Sequence, residues 1–214
     1  MIKRLSILGD SISTYKGFSN DKSVNSTLFY NKYHYFSEHM PPEKTYWRIV
    51  MDSLGLSLCV NNSYSGGLLS GRDNTNSGVN RVNNLSRDDG TEPDFIIVFM
   101  GINDLGRGIS PSVFAKDYAA TLSVIKEKYK DAYVCCVNIP DRDEIFKERA
   151  ILFNEAISEA VKDAGERFFV ADLFGSRLNN DFYYINTMDG LHPDEDGMKI
   201  IAEVILNSVK ENIK

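Results

Sequence analysis

Five short apolar runs punctuate the chain at Leu5–Leu8, Leu56–Val60, Phe95–Met100, Tyr133–Ile139 and Phe168–Ala171, each followed within two residues by Gly, Asn, Asp or Ser. The runs are continuous rather than alternating, so both faces of each strand need covering, as in a parallel sheet between two helical layers. Stretches with helical spacing separate them, at Thr45–Leu54, Pro111–Tyr129, Asp143–Ala164 and Pro193–Ile213. In the second, Val113, Phe114, Tyr118, Leu122 and Ile125 form one stripe behind Ser110 as N-cap and Pro111 in the first turn. Ile200, Ile201, Val204 and Ile205 face inward in the last. The expectation is an α/β fold, a three-layer α/β/α sandwich on a five-stranded parallel sheet. At 214 residues it fits one domain, 1–214, without repeats or linkers.

Residues 14–44 break the pattern. They are too many for a βα loop and carry Tyr15, Phe18, Phe29, Tyr30, Tyr33, Tyr35 and Phe36. Such an aromatic-rich insertion either packs onto the domain or overhangs the first strand and walls a substrate pocket. In the second case Tyr15, close after the strand, is the ring expected to touch substrate, and Tyr30, Tyr33 and Tyr35 shape preference. Tyr64 and Arg72, in the loop after the second strand, are further candidates for substrate contact.

Composition excludes several partners. The net charge of -6 comes without any Lys/Arg block, which argues against nucleic acid. No run approaches the roughly 18 apolar residues of a membrane span. The apolar run behind Met1-Ile2-Lys3-Arg4 is shorter than the roughly 7–15 residues of a secretory signal, so a cytoplasmic location is expected. Cys59, Cys135 and Cys136 lie in strand-like runs and read as buried, reduced thiols.

The first run ends at Gly9-Asp10-Ser11, where a buried strand would push a hydroxyl out at the ligand-binding edge of the sheet. A serine nucleophile needs a base and a group that orients it. Of three histidines, His34 and His39 sit in the insertion and read as surface or packing residues, while His192 lies three residues after Asp189 across a glycine. Pro193 keeps His192 extended and is expected to open the terminal helix. Asp189 can then meet one imidazole nitrogen while the other faces the sheet edge. Asn103, after the third strand, can aim an amide at that edge, and Asn62-Ser63-Tyr64-Ser65-Gly66-Gly67 after the second allows a tight turn with an exposed N–H.

Together these four blocks, spread from Gly9 to Pro193, resemble those of the SGNH hydrolases, the GDSL-like esterases and lipases. The resemblance implies a flavodoxin-like fold and Ser11, His192 and Asp189 as nucleophile, base and orienting acid. It also implies an oxyanion hole formed by the N–H groups of Ser11 and Gly66 and the Asn103 side chain. The chain departs from the family pattern in Ile12 after the serine and in its Ser-Tyr-Ser-Gly-Gly second block.

Competing motifs fail. Gly66–Arg72 has phosphate-loop glycines but Arg72 and Asp73 where Lys and Ser/Thr are needed, and Gly106-Arg107-Gly108 lacks a third glycine. No Gly-x-Ser-x-Gly elbow occurs. The reading is a metal-independent, cofactor-free serine esterase acting on a small carboxylic ester, with an O-acetylated carbohydrate favoured. An acyltransferase, or a flavodoxin-like binding protein without turnover, stays open.

Overall fold

The structure, a computed structural model, describes residues 2–19, 28–30, 40–179 and 183–213. Tyr33, Tyr35, Phe36, His34 and His39 lie outside the described residues. Five strands, β1 (Arg4–Gly9), β2 (Ser57–Ser63), β3 (Phe95–Phe99), β4 (Tyr133–Val137) and β5 (Phe168–Ala171), form one parallel sheet in the order β2-β1-β3-β4-β5. Each strand that heads for the middle of the sheet buries Val, Ile, Leu, Phe or Cys on both faces, and β3 is buried along its whole length. Helices cover the two faces: α1 (Tyr46–Leu54), α2 (Gly78–Arg81), α3 (Ile102–Gly106), α4 (Pro111–Lys128), α5 (Glu144–Ala164) and α6 (Glu195–Asn212). None of the described helices is long and apolar enough to cross a membrane.

The order places β1 between β2 and β3, so successive connections leave it in opposite directions. That divergence opens a crevice at the carboxyl end of β1, where open α/β sheets bind ligands. Ser11 lies there, in a short 3₁₀ turn over Ser11–Ser13.

Several boundaries differ from those the pattern suggests. β2 runs on through Asn61, Asn62 and Ser63, because each buried polar side chain finds an internal partner. Asn61 Nδ2 donates to Ser13 O, Asn62 Nδ2 to Arg81 O and Asn84 O, and Ser63 Oγ to Asn61 Oδ1. The terminal helix starts at Glu195, not at Pro193; Asp194 is its N-cap and accepts from Asp196 N and Gly197 N. Pro193 instead forms an antiparallel bridge with Thr187. Ser110 caps α4 as expected, but Val113 points to solvent, about 100° round the helix from the buried Phe114. The three cysteines are free and buried, and burial pushes the Cys136 thiol up to about 12.

The described part of the aromatic insertion packs. Tyr15 is 3% exposed and its hydroxyl donates to Met40 O at 2.9 Å, which leaves its ring little surface for a substrate. Its neighbour Phe18 tilts against Trp47 of α1 at 5.5 Å between centroids. Tyr30 is fully buried, its hydroxyl donating to Pro193 O at 2.8 Å.

Candidate active site

The Gly9-Asp10-Ser11 turn has a separate physical reason for each residue. A Cβ on Gly9 would lie 2.5 Å from Ser13 Cβ and 2.6 Å from Ser63 Oγ, so nothing larger fits. Asp10 caps the 3₁₀ turn, with Oδ1 accepting from Ile12 N at 3.0 Å. Ser11 then opens the turn, and its N–H, like that of Gly66, has no hydrogen-bond partner among the described residues.

A loop 181 residues away supplies the partner of Ser11. Asp189 Oδ1 accepts from Leu191 N at 3.0 Å and His192 N at 2.8 Å, folding the loop around Gly190, whose φ of +80° a side chain would resist. The other oxygen, Oδ2, lies 2.8 Å from His192 Nδ1, and His192 Nε2 lies 2.9 Å from Ser11 Oγ. Both imidazole nitrogens are thus engaged, one by Asp189 and one by Ser11. Burial pushes the Asp189 carboxyl up, but the backbone and ring N–H groups of His192 outweigh it and hold the group below its ordinary value.

Two further loops meet the same edge. Gly67 N donates to Tyr64 O at 2.9 Å, closing a turn whose third residue, Gly66, has φ of +69°, as a type II turn requires. Asn103, in the first turn of α3, donates from Nδ2 to Gly67 O at 3.1 Å and to Asp10 Oδ2 at 3.3 Å. Its neighbour Asp104 is fully buried and accepts from Leu69 N at 2.8 Å and Ser70 N at 2.9 Å. Successive residues of α3 therefore clamp the Gly66 loop, one by an amide and one by a carboxylate. Arg81 closes the floor by donating to Gly9 O at 2.9 Å and to Asn62 O.

Ser11, Gly66, Asn103, Asp189 and His192 thus reach one sheet edge. Tyr64 is half-buried beside Gly9, to whose carbonyl its N–H donates at 3.3 Å. Arg72 is tied to α4, its Nε pairing with Asp117 Oδ1 at 3.0 Å. Residues given no individual role from the sequence also belong here: Asp10, Asp104, Arg81 and Phe29, one ring of the insertion, which stacks on His192. An acidic cap three residues before a helical turn's end hints at Asp10; nothing local marks the others.

A separate cleft, lined by Asn138, Ile151, Asn154, Ser158, Asp172 and Phe174, lies at the β4–β5 side. Its amides are committed to the scaffold, Asn154 to the backbone of Ile139 and Asn138 to Leu173 N, Phe174 N and Asp172. Among the described residues no three His, Cys, Asp or Glu side chains converge as metal ligands would.

Asp10 is the unusual acid of the site. Burial raises its pKa from 3.8 to about 7, against the opposing effects of the Ile12 N–H and the Arg81 guanidinium. An acid raised on folding binds its proton more tightly when folded, so its contribution to stability is present below the ordinary aspartate value and lost as pH rises toward 7. Asp10→Asn, which cannot ionise but sets an amide beside that of Asn103, is expected to gain on the wild type in melting temperature as pH rises from about 4 to 8, whatever the offset between them. Thermal melts of both proteins across that range check this; parallel curves contradict it.

Three comparisons with known proteins bear on this arrangement. The chain matches the family described as GDSL-like Lipase/Acylhydrolase over residues 3–209. No curated protein matches. Among solved structures, it is similar to a protein described as a GDSL-like lipase from Bacteroides ovatus, with 22% identity, 99% of each chain covered and a TM-score of 0.77. It is also similar to the psychrotrophic esterase EstA of a Pseudoalteromonas species, solved inhibited by monoethylphosphonate, with 16% identity, 98% and 97% coverage and a TM-score of 0.63. A third is a family 2 carbohydrate esterase with a carbohydrate-binding domain from Corynascus thermopiles. There the identity is 17%, the TM-score 0.67, and the match spans 99% of this chain and 66% of that one.

Proposed function

The chain belongs to the GDSL-like lipase and acylhydrolase family, and from that premise we propose that it is a metal-independent serine esterase working through an acyl-enzyme at Ser11. The observation that carries this reading is the unbroken relay from Ser11 Oγ through both nitrogens of His192 to Asp189, at 2.9 and 2.8 Å. Ser11 Oγ attacks the ester carbonyl carbon as His192 Nε2 takes its proton. The oxyanion that forms is met by the N–H groups of Ser11 and Gly66 and by the Asn103 amide, whose long 3.3 Å bond to Asp10 is the one given up. Collapse expels the alcohol, which receives the proton from Nε2. Water, deprotonated by the same nitrogen, then attacks the acyl carbon and releases the acid and the serine.

A small acyl group on a carbohydrate alcohol is the substrate class we favour. The likeness to a carbohydrate esterase supports it. The test is a panel of p-nitrophenyl esters of increasing chain length, alongside acetylated oligosaccharides, with intact-mass detection of a phosphonate adduct. The expected result is one adduct on Ser11, fastest turnover of the acetyl ester, and a rate that climbs with pH over about 6–7, where an imidazole loses its proton. No adduct and no turnover of any ester would overturn the esterase reading; preference for long acyl chains would overturn the substrate class.

A further inference from the structure

We propose that Phe29 is a positioning residue for His192, a flat ring that holds the imidazole in the plane of its two hydrogen bonds. The inference rests on the esterase reading above. Phe29 and His192 lie face to face, their centroids 3.4 Å apart and their planes 11° from parallel. The bonds to Asp189 and Ser11 act at the two ring nitrogens. They fix where the nitrogens sit, and tilt about the line joining them is resisted only by the directionality of those bonds and the Cγ–Cβ tether. A ring stacked on one face removes that tilt and keeps water off that face.

Phe29 is itself held from both sides of the site. The buried Tyr30 meets Phe29 edge-on at 4.9 Å and His192 edge-on at 6.3 Å. Its hydroxyl donates to the carbonyl of Pro193, next to the histidine. The Tyr30 carbonyl accepts from Lys16 N at 3.0 Å, five residues after Ser11. Residues 29 and 30 thus bridge the chain leaving the serine and the loop carrying the histidine. The described aromatic residues nearest the relay serve the base rather than the substrate.

The stack also has an electrostatic consequence. The face of an aromatic ring is the negative part of its quadrupole, so it favours the imidazolium formed when Ser11 gives up its proton. Among the described residues, the imidazole also meets the Asp189 carboxylate, the Ser11 hydroxyl and the edge-on Tyr30 ring. Substitution at Phe29 removes none of them.

The experiment compares Phe29→Ala, Phe29→Leu and Phe29→Tyr with the wild type on one activated ester, measuring kcat and KM across pH, melting temperature, and phosphonate labelling of Ser11. Phe29→Ala is expected to lower kcat about 10- to 100-fold with KM nearly unchanged. The midpoint of its pH–rate profile is expected about half a unit lower, because the imidazolium loses its stacked ring. Phe29→Tyr restores both properties, and Phe29→Leu, which keeps apolar bulk without a flat face, does not. If Phe29→Ala fails to fold, Phe29→Leu carries the same comparison. Unchanged kcat and pH midpoint in the folded variant would overturn the proposal. So would a rise confined to KM, which marks a substrate wall, or equal damage in Phe29→Tyr, which marks packing. A wild type that neither turns over esters nor takes the phosphonate would instead sink the esterase reading itself.

Discussion

Ser11→Ala is expected to lower ester turnover by about 10⁴-fold or more, with the fold intact. The substitution removes a single oxygen from the first residue of a short turn. The main supports of that turn, the Asp10 cap and the Ser13 N–H to Asp10 O bond, do not involve it. The melting temperature should stay close to that of the wild type while the phosphonate adduct disappears. Any residual rate comes from binding and from oxyanion donors that survive the change, since the N–H of residue 11 is retained. A variant keeping a tenth of wild-type turnover would place the nucleophile elsewhere.

Asp189→Asn should be nearly as damaging, about 10⁴-fold in kcat, for a different reason. Oδ1 of an asparagine can still accept from the N–H groups of Leu191 and His192, so the loop should keep its shape. The amide nitrogen then replaces Oδ2 beside His192 Nδ1 and offers a hydrogen where the ring now meets an acceptor. The imidazole must answer with an unprotonated Nδ1, which moves its proton to Nε2, facing Ser11. A nitrogen already carrying a proton cannot take one from the serine. In the wild type Asp189 stays ionised throughout the range where an imidazole titrates, because its hydrogen bonds hold the carboxyl below its ordinary value. Kinetics and melting curves measured on one preparation check this: a tenfold or smaller loss in a variant of unchanged stability would deny Asp189 its orienting role.

The legible parts of this protein are those governed by local rules. Continuous apolar runs marked all five strands, because a strand buried on both faces has no solvent side to make polar. Ser110 and Pro111 marked the start of α4 for equally local reasons of capping and fixed φ. Less legible were elements whose sense depends on distant partners. Asn61, Asn62 and Ser63 look like a turn in sequence, yet continue β2 because Ser13, Arg81 and Asn84 satisfy them. Val113 reads as part of the stripe of Phe114, Tyr118, Leu122 and Ile125 yet lies in solvent, since at about 100° per residue it sits 100° or more from all four.

By itself, then, the sequence determined the layered α/β architecture, the serine at the end of β1 and the Asp189–His192 pair. Strand burial, turn chemistry and a three-residue spacing are all short-range properties, readable without knowing what lies across the sheet. Tertiary structure alone decided that Tyr15 and Tyr30 turn inward, Tyr15 on Met40 O, and that Phe29 lies on His192. It also decided that Asn103 rests on Asp10, 93 residues away. An aromatic side chain packs as readily against a helix as against a ligand. Which it meets depends on how the chain closes over the sheet, and no local pattern encodes that.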